Sequence, residues 1–230
     1  MKLYAFDFHG TLEDGHVNVV YETLRYASSQ LGLEFKLDKD FLEKNRGHYF
    51  DYYFKKAFPN ANGLLINKLV RIAEAVGLEF AYLYVKPKEY AKFVLAELKN
   101  FGDVVVISNS KQEVLEEFLR ITKLNDVVNE AYGVKDDSNE DFVVKKSRKI
   151  SELYKRNSYK ELVLVGDSEE DKRLGNILRS NFKNVRVYII GQDHRTFDIE
   201  SFYMPIDNLF QIFELESLFV DTKKESSSRR

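Results

Sequence analysis

Short apolar runs that end in polar clusters and are followed by helical patterns constrain this chain more than any other feature. Asp103-Val104-Val105-Val106-Ile107 ends in Ser108-Asn109-Ser110, and Leu162-Val163-Leu164-Val165 ends in Gly166-Asp167-Ser168-Glu169-Glu170-Asp171. The amino-terminal run, Lys2 to Phe8, has almost no polar relief until Asp7, as expected of a central strand covered on both faces. The pattern predicts helices over 113–119 and 148–156, another ending near Ser180, and a closing helix over 207–219. It also predicts a short strand at 132–134 and a strong one at 185–190. Alternation of this kind requires crossover connections, which make the strands parallel and place helices on both faces. The predicted fold class is therefore α/β, a doubly wound parallel sheet.

Between Val17 and Val85 the pattern is helical throughout, with apolar residues at intervals of three and four in 20–31, 41–58 and 64–76. Breaks are expected at Gly32, near Gly47, at Pro59-Asn60 and at Gly77, and Pro87 is expected to open a helix over 88–100. The expected division is a core of residues 1–14 and 86–221, an inserted helical cap of residues 15–85, and a disordered tail of residues 222–230.

The chain has no cysteine, so a bound metal would be held by oxygen or imidazole. With 35 basic and 37 acidic side chains it offers no basis for a nucleic-acid or membrane surface. No apolar run approaches the roughly 18 residues needed to cross a bilayer, and no positively charged leader precedes an apolar segment. The reading is a cytoplasmic monomer or homodimer acting on a small molecule.

Ligands of an open parallel sheet bind beyond the carboxyl ends of its strands. Taken singly, Asp167-Ser168 reads equally well as a helix cap and Ser108-Asn109 as a turn. Brought together, Asp7 and Asp167 repel each other unless a divalent cation lies between them, and an all-oxygen set with Asp171 nearby suits Mg²⁺. The Ser108 hydroxyl and the backbone N–H groups after Asp7 and Ser108 are candidate donors to a phosphate. Lys145 or Lys146 would balance the charge from the start of a helix expected at Ser147. In the inserted block, Arg46 and His48 flank Gly47 and could reach ligand polar groups, although the aromatic residues around them suit packing equally well. His194 reads as a loop residue.

The order of these segments resembles the haloacid dehalogenase superfamily of phosphohydrolases over nearly the whole chain. Asp7-Phe8-His9-Gly10-Thr11-Leu12-Glu13-Asp14 resembles its first motif, Ser108-Asn109 its second, Lys145 or Lys146 its third, and Gly166 to Asp171 its fourth. The resemblance implies that Asp7 attacks phosphorus to form an aspartyl phosphate and that Ser108 and Asn109 bind phosphate. It also implies a small phosphorylated metabolite as substrate, with the cap closing over it. Mg²⁺ would be held by Asp7, Asp167, the backbone carbonyl of His9 and, through water, Asp171. Lys145 is preferred as the catalytic lysine because it precedes the expected N-cap Ser147 by two residues, which leaves Lys146 and Arg46 as substrate-binding candidates. His9 departs from the pattern, since the family's phosphatases carry a second Asp there as general acid and base.

Two functions follow from the resemblance. One is a Mg²⁺-dependent phosphohydrolase of a small phosphomonoester, with His9 as a modified acid/base. The other is a catalytically reduced module that binds phosphorylated ligands or a partner without turnover. Hydrolytic dehalogenation would keep Asp7, Ser108, Asn109 and a lysine but gives no reason for the acid pair Asp167 and Asp171.

Overall fold

The structure is a computed structural model that describes residues 1–136, 138, 140–191 and 203–227. It divides into two compact units, residues 1–13 with 87–230 and residues 14–86. In chain order the strands are β1 (Lys2–Phe6), β2 (Glu13–Asp14), β3 (Lys86–Pro87), β4 (Gly102–Ser108), β5 (Glu130–Gly133), β6 (Glu161–Gly166), β7 (Val185–Ile190) and β8 (Tyr203–Ile206). The unit boundaries fall within β2 and β3. Pro87 thus lies in a strand and does not open a helix.

Six strands form one sheet in the order β5-β4-β1-β6-β7-β8, and every pairing is parallel. β1 lies between β4 and β6, with Lys2 opposite Gly102 and Glu161, and Phe6 opposite Val106 and Val165. The carboxyl end of β1 is therefore where the connections diverge to either side, the place such a sheet uses for ligands. All five β1 residues are buried, which explains a run with almost no polar alternation.

The inserted unit consists of α1 (His16–Ser29), α2 (Lys39–Lys44), α3 (Phe50–Ala57) and α4 (Gly63–Tyr84). Val20 and Leu24 of α1 pack with Leu42 of α2, Phe54 of α3, and Ile66 and Leu69 of α4. The break expected at Gly77 is corrected, because α4 continues through it. Ala73, Gly77 and Ala81 are spaced four residues apart on one helix face, with Ala73 and Ala81 buried. Tertiary packing along that face outweighs a propensity cost of about 1 kcal/mol for glycine.

The remaining helices are α5 (Ala91–Leu98), α6 (Gln112–Thr122), α7 (Phe142–Arg156), α8 (Glu169–Asn181) and α9 (Phe210–Ser227). Val143, Ile150 and Leu153 of α7 and Leu174 and Leu178 of α8 cover Leu3, Ala5, Val105, Ile107, Leu162 and Leu164 of the sheet. α9 runs past 219 to Ser227, so 222–227 are helical and the expected disordered tail is corrected there. Lys and Glu, which fill 223–225, are good helix formers. His194 and residues 228–230 lie outside the described residues. No helix among the described residues is long and apolar enough to cross a membrane.

One buried acid ties α9 to the sheet. The fully buried Glu216 carboxylate accepts from Lys2 Nζ at 2.7 Å, Tyr4 Oη at 3.1 Å, Tyr188 Oη at 2.9 Å and Arg186 Nε at 3.0 Å. Glu216→Leu leaves Lys2 and Arg186 without that counter-charge and is expected to cost roughly 3–5 kcal/mol. Urea unfolding of the variant and the wild type measures this directly.

Candidate active site

Three strand ends build the site. Asp7 directly follows β1, and its backbone N–H still donates to the Val165 carbonyl at 2.8 Å, so the carboxylate leaves the sheet from a fixed point. The next residues fold back as a tight turn, with the Leu12 N–H donating to the Phe8 carbonyl at 2.9 Å. Gly10 sits in that turn at φ 81°, a conformation that an L side chain rarely adopts. Lys88 donates through Nζ to the Gly10 carbonyl and through its backbone N–H to the Leu12 carbonyl at 2.9 Å, which holds the turn from outside.

Asp167 directly follows β6, and Ser168 caps α8. The Ser168 hydroxyl accepts from the Asp171 N–H at 3.3 Å and donates to Asp171 Oδ2 at 2.6 Å. The same Oδ2 accepts from the backbone N–H groups of Asp167, at 3.2 Å, and Ser168, at 3.1 Å. A capping box thus fixes the buried Asp171. Gly166 is required here, since a Cβ on it would fall 2.2 Å from Asp171 Cγ. Thr11 Oγ1 donates to Asp167 Oδ1 at 3.2 Å and links the turn after β1 to the end of β6.

The result is that carboxylate oxygens of Asp7, Asp167 and Asp171 lie within 4.8 Å of one another. Lys146 Nζ reaches Asp7 Oδ1 at 2.5 Å. Burial, with help from Asp171 and Asp167, pushes the Asp7 carboxyl up to about 8, although Lys146 pulls the other way. Burial works against the Lys146 ammonium, but Asp7, Asp171 and Glu170 outweigh it and hold the lysine above its ordinary range. Three acids against one lysine leave room for a further cation.

The preference for Lys145 as the lysine beside Asp7 is corrected. Lys145 Nζ donates to Asp136 and lies 5.4 Å from the centre of the Phe142 ring. The error came from the helix start, which is not at Ser147. Asp141 is the N-cap, its side chain accepting from the Val143 N–H at 2.7 Å, so both lysines already lie within α7. Neighbouring helical residues diverge by about 100°, and only one of the two can face Asp7.

Ser108 ends β4 fully buried. Its Oγ accepts from the Ser110 N–H and donates to Ser110 Oγ, both at 3.3 Å. Asn109 Nδ2 donates to Glu170 Oε2 at 3.1 Å. Asn109 Oδ1 is buried with no hydrogen-bond partner among the described residues, an acceptor that a ligand's donor would satisfy. Arg46 belongs to the inserted unit, where it pairs with Glu43.

His9 is held on both sides, with Nδ1 3.0 Å from Glu13 Oε1 and Nε2 3.0 Å from Ser110 Oγ. Phe8 and Phe118 meet its ring edge-on at centroid distances of 5.2 and 4.9 Å. Burial and then the Lys146 charge lower the His9 pKa to about 3, so the imidazole is neutral near pH 7. Glu13, Ser110, Thr11, Glu170 and Lys88 were not singled out from the sequence. For Thr11 and Glu13 the signal available was their place within the Asp7 turn motif, and for Glu170 its place between Asp167 and Asp171.

A sequence profile of haloacid dehalogenase-like hydrolases matches residues 4–185. No curated protein matches the chain. Among solved structures, a predicted phosphoglycolate phosphatase from Haemophilus somnus 129pt is similar at a TM-score of 0.74 and 15% identity, over 94% of this chain and 98% of that one. A haloacid dehalogenase-like family hydrolase from Streptococcus pneumoniae is similar at a TM-score of 0.72 and 13% identity, over 93% and 97% of the two chains. CbbY from Rhodobacter sphaeroides, in complex with phosphate, is similar at a TM-score of 0.66 and 14% identity, over 90% and 94%. At these identities the likeness to the solved structures is one of fold.

Proposed function

We propose that this chain, which belongs to the haloacid dehalogenase-like hydrolases, is a magnesium-dependent phosphohydrolase of small phosphorylated metabolites that works through a phosphorylated Asp7. The observation that carries this reading is the grouping of Asp7, Asp167 and Asp171 within 4.8 Å, with Lys146 on Asp7. A hard, all-oxygen donor set whose charges exceed those of the one lysine beside it fits Mg²⁺. Asp7, Asp167 and the His9 backbone carbonyl would hold the ion, with Asp171 behind them. When bound, it supplies positive charge to the phosphoryl oxygens.

In the first step an Asp7 oxygen bonds to phosphorus while the bond from phosphorus to the leaving oxygen breaks. Lys146 offsets the charge carried by Asp7 and the transferring group. His9 is neutral and therefore has no proton to give the leaving oxygen. Esters whose leaving group is stable as an anion suit such a site, and alkyl phosphates react slowly. His9→Asp, which restores a carboxyl at the acid/base position, is expected to raise alkyl phosphomonoester hydrolysis by about 10²-fold. Phosphate release from a sugar phosphate by the two proteins checks it. The fixing of both His9 nitrogens by protein groups favours a second reading, a module that binds phosphorylated ligands without turnover. Normal Mg²⁺ binding with no turnover by either form would establish that reading instead.

The raised Asp7 pKa fixes the pH dependence of metal binding. The metal-free protein keeps on Asp7 a proton that a cation must displace, so affinity for Mg²⁺ rises with pH and levels off above about 8. Without metal the sign for stability is opposite. The unfolded chain loses this proton near pH 3.8 and the folded chain near 8, so this carboxyl's contribution to stability falls as pH rises between those values. Calorimetric titration with Mg²⁺ at about pH 6 and about pH 8 is expected to show tighter binding and less proton release at the higher pH.

A further inference from the structure

We propose that Lys88 is a positioning residue for the turn after β1, a role that rests on the phosphohydrolase reading above. Its backbone and its ammonium each hold one carbonyl of that turn, and together they fix the peptide groups that follow Asp7. The Lys88 N–H donates to the Leu12 carbonyl at 2.9 Å, and Nζ donates to the Gly10 carbonyl. Two residues of chain span at most roughly 7 Å, a gap that a four-carbon stem anchored at Leu12 can cover.

Lys88 is itself fixed. Its carbonyl accepts from the Ala91 N–H at 3.0 Å, which closes a turn whose third residue, Tyr90, has φ 64° and ψ −4°. A type II turn usually fills that position with glycine. An aromatic residue persists there only where its surroundings over-determine the backbone. Here the bond to Leu12 on one side and α5 on the other do so, and the lysine stem starts from a set place.

The turn needs this support because of Gly10. At φ 81° and without a Cβ, Gly10 has the widest choice of conformations in the turn. The Thr11 and Leu12 N–H groups converge on the Phe8 carbonyl, at 3.3 and 2.9 Å. In a planar trans peptide the C=O and N–H point in opposite directions, so the hold of Lys88 on the Gly10 carbonyl also aims the Thr11 N–H at Phe8. Loss of the ammonium lets this peptide rotate and loosens the backbone N–H groups that serve the phosphoryl group. Donors of this kind stabilise the transition state only when they are held in place, so the loss falls on kcat more than on KM. Lys88 touches none of the reacting atoms and acts through the turn.

The test compares the wild type with Lys88→Met, which keeps the stem without its donors, and Lys88→Arg, which keeps charge and donors. The substrate is p-nitrophenyl phosphate at saturating Mg²⁺. Lys88→Met is expected to lower kcat by about 10- to 30-fold and to leave KM within about threefold. In the metal-free protein, amide hydrogen exchange of the peptide covering 8–12 is expected to quicken by about tenfold, with Tm within about 3 °C of the wild type. Lys88→Arg is expected to recover most of both. If Lys88→Met does not fold, Lys88→Gln, a shorter and neutral donor, is expected to show the same losses.

Unchanged kcat per folded molecule, or a Lys88→Arg no better than Lys88→Met, would overturn the role of Lys88 while leaving the phosphohydrolase intact. Should the wild type release no phosphate and form no phosphoenzyme, the phosphohydrolase reading fails, and exchange alone decides the proposal. A turn loosened by Lys88→Met and restored by Lys88→Arg supports the hold of Lys88 on it, and unchanged exchange overturns it.

Discussion

Asp7→Asn is expected to abolish phosphate release, by at least about 10⁴-fold, with the fold intact. The amide is nearly isosteric with the carboxylate, but its oxygen is a far weaker nucleophile, and no other carboxylate can take its place. Asp167 is engaged by Thr11, and Asp171 is buried within the capping box. Stability should be preserved in the absence of metal, because a carboxyl pushed up to about 8 is one whose charged form the fold does not favour. Phosphate release assayed with Mg²⁺ and thermal melts without it separate the two effects. Wild-type turnover by Asp7→Asn would remove the nucleophile from the account.

The second large effect separates two adjacent lysines. Lys146→Met is expected to lower kcat/KM by about 10²- to 10³-fold, the usual loss on removing one group that stabilises transition-state charge. Lys145→Met, in the same buffer, should lower it by less than about tenfold, since its ammonium serves Asp136 and the Phe142 ring and not Asp7. Both measurements belong at saturating Mg²⁺, so that a change in metal affinity on losing the lysine charge does not enter the comparison. Equal losses in the two variants would mean that the 2.5 Å contact between Lys146 and Asp7 is not the one that matters.

The sequence made the parallel sheet legible because three apolar runs each stop at an acid or hydroxyl. It made Asp7, Asp167 and Asp171 legible together because strands of one parallel sheet end on the same edge. A cap at Ser147 points to the wrong lysine, because Asp141 caps the helix six residues earlier. Helical spacing held the better signal. Val143, Lys146, Ile150 and Leu153 fall at intervals of three and four on one buried face, and Lys145 falls beside it.

β8 was missed because Tyr203-Met204-Pro205-Ile206 contains a proline, which demotes a run to non-strand unless it lies at a sheet edge. β8 is such an edge strand. Of the two partners of His9, Glu13 lies four residues on within the same motif, whereas Ser110 could not be read from sequence. Ser110 lies 101 residues away, and only the pairing of β1 with β4 brings it to the ring.

The most direct test of the central claim is to quench the Mg²⁺-loaded enzyme in acid during turnover of a phosphate ester and weigh its peptides. The account predicts one added phosphoryl group on the peptide that carries Asp7, absent from Asp7→Asn and removed by hydroxylamine. Phosphate release at full rate with no phosphoryl group on that peptide, under conditions that accumulate intermediates, would contradict it.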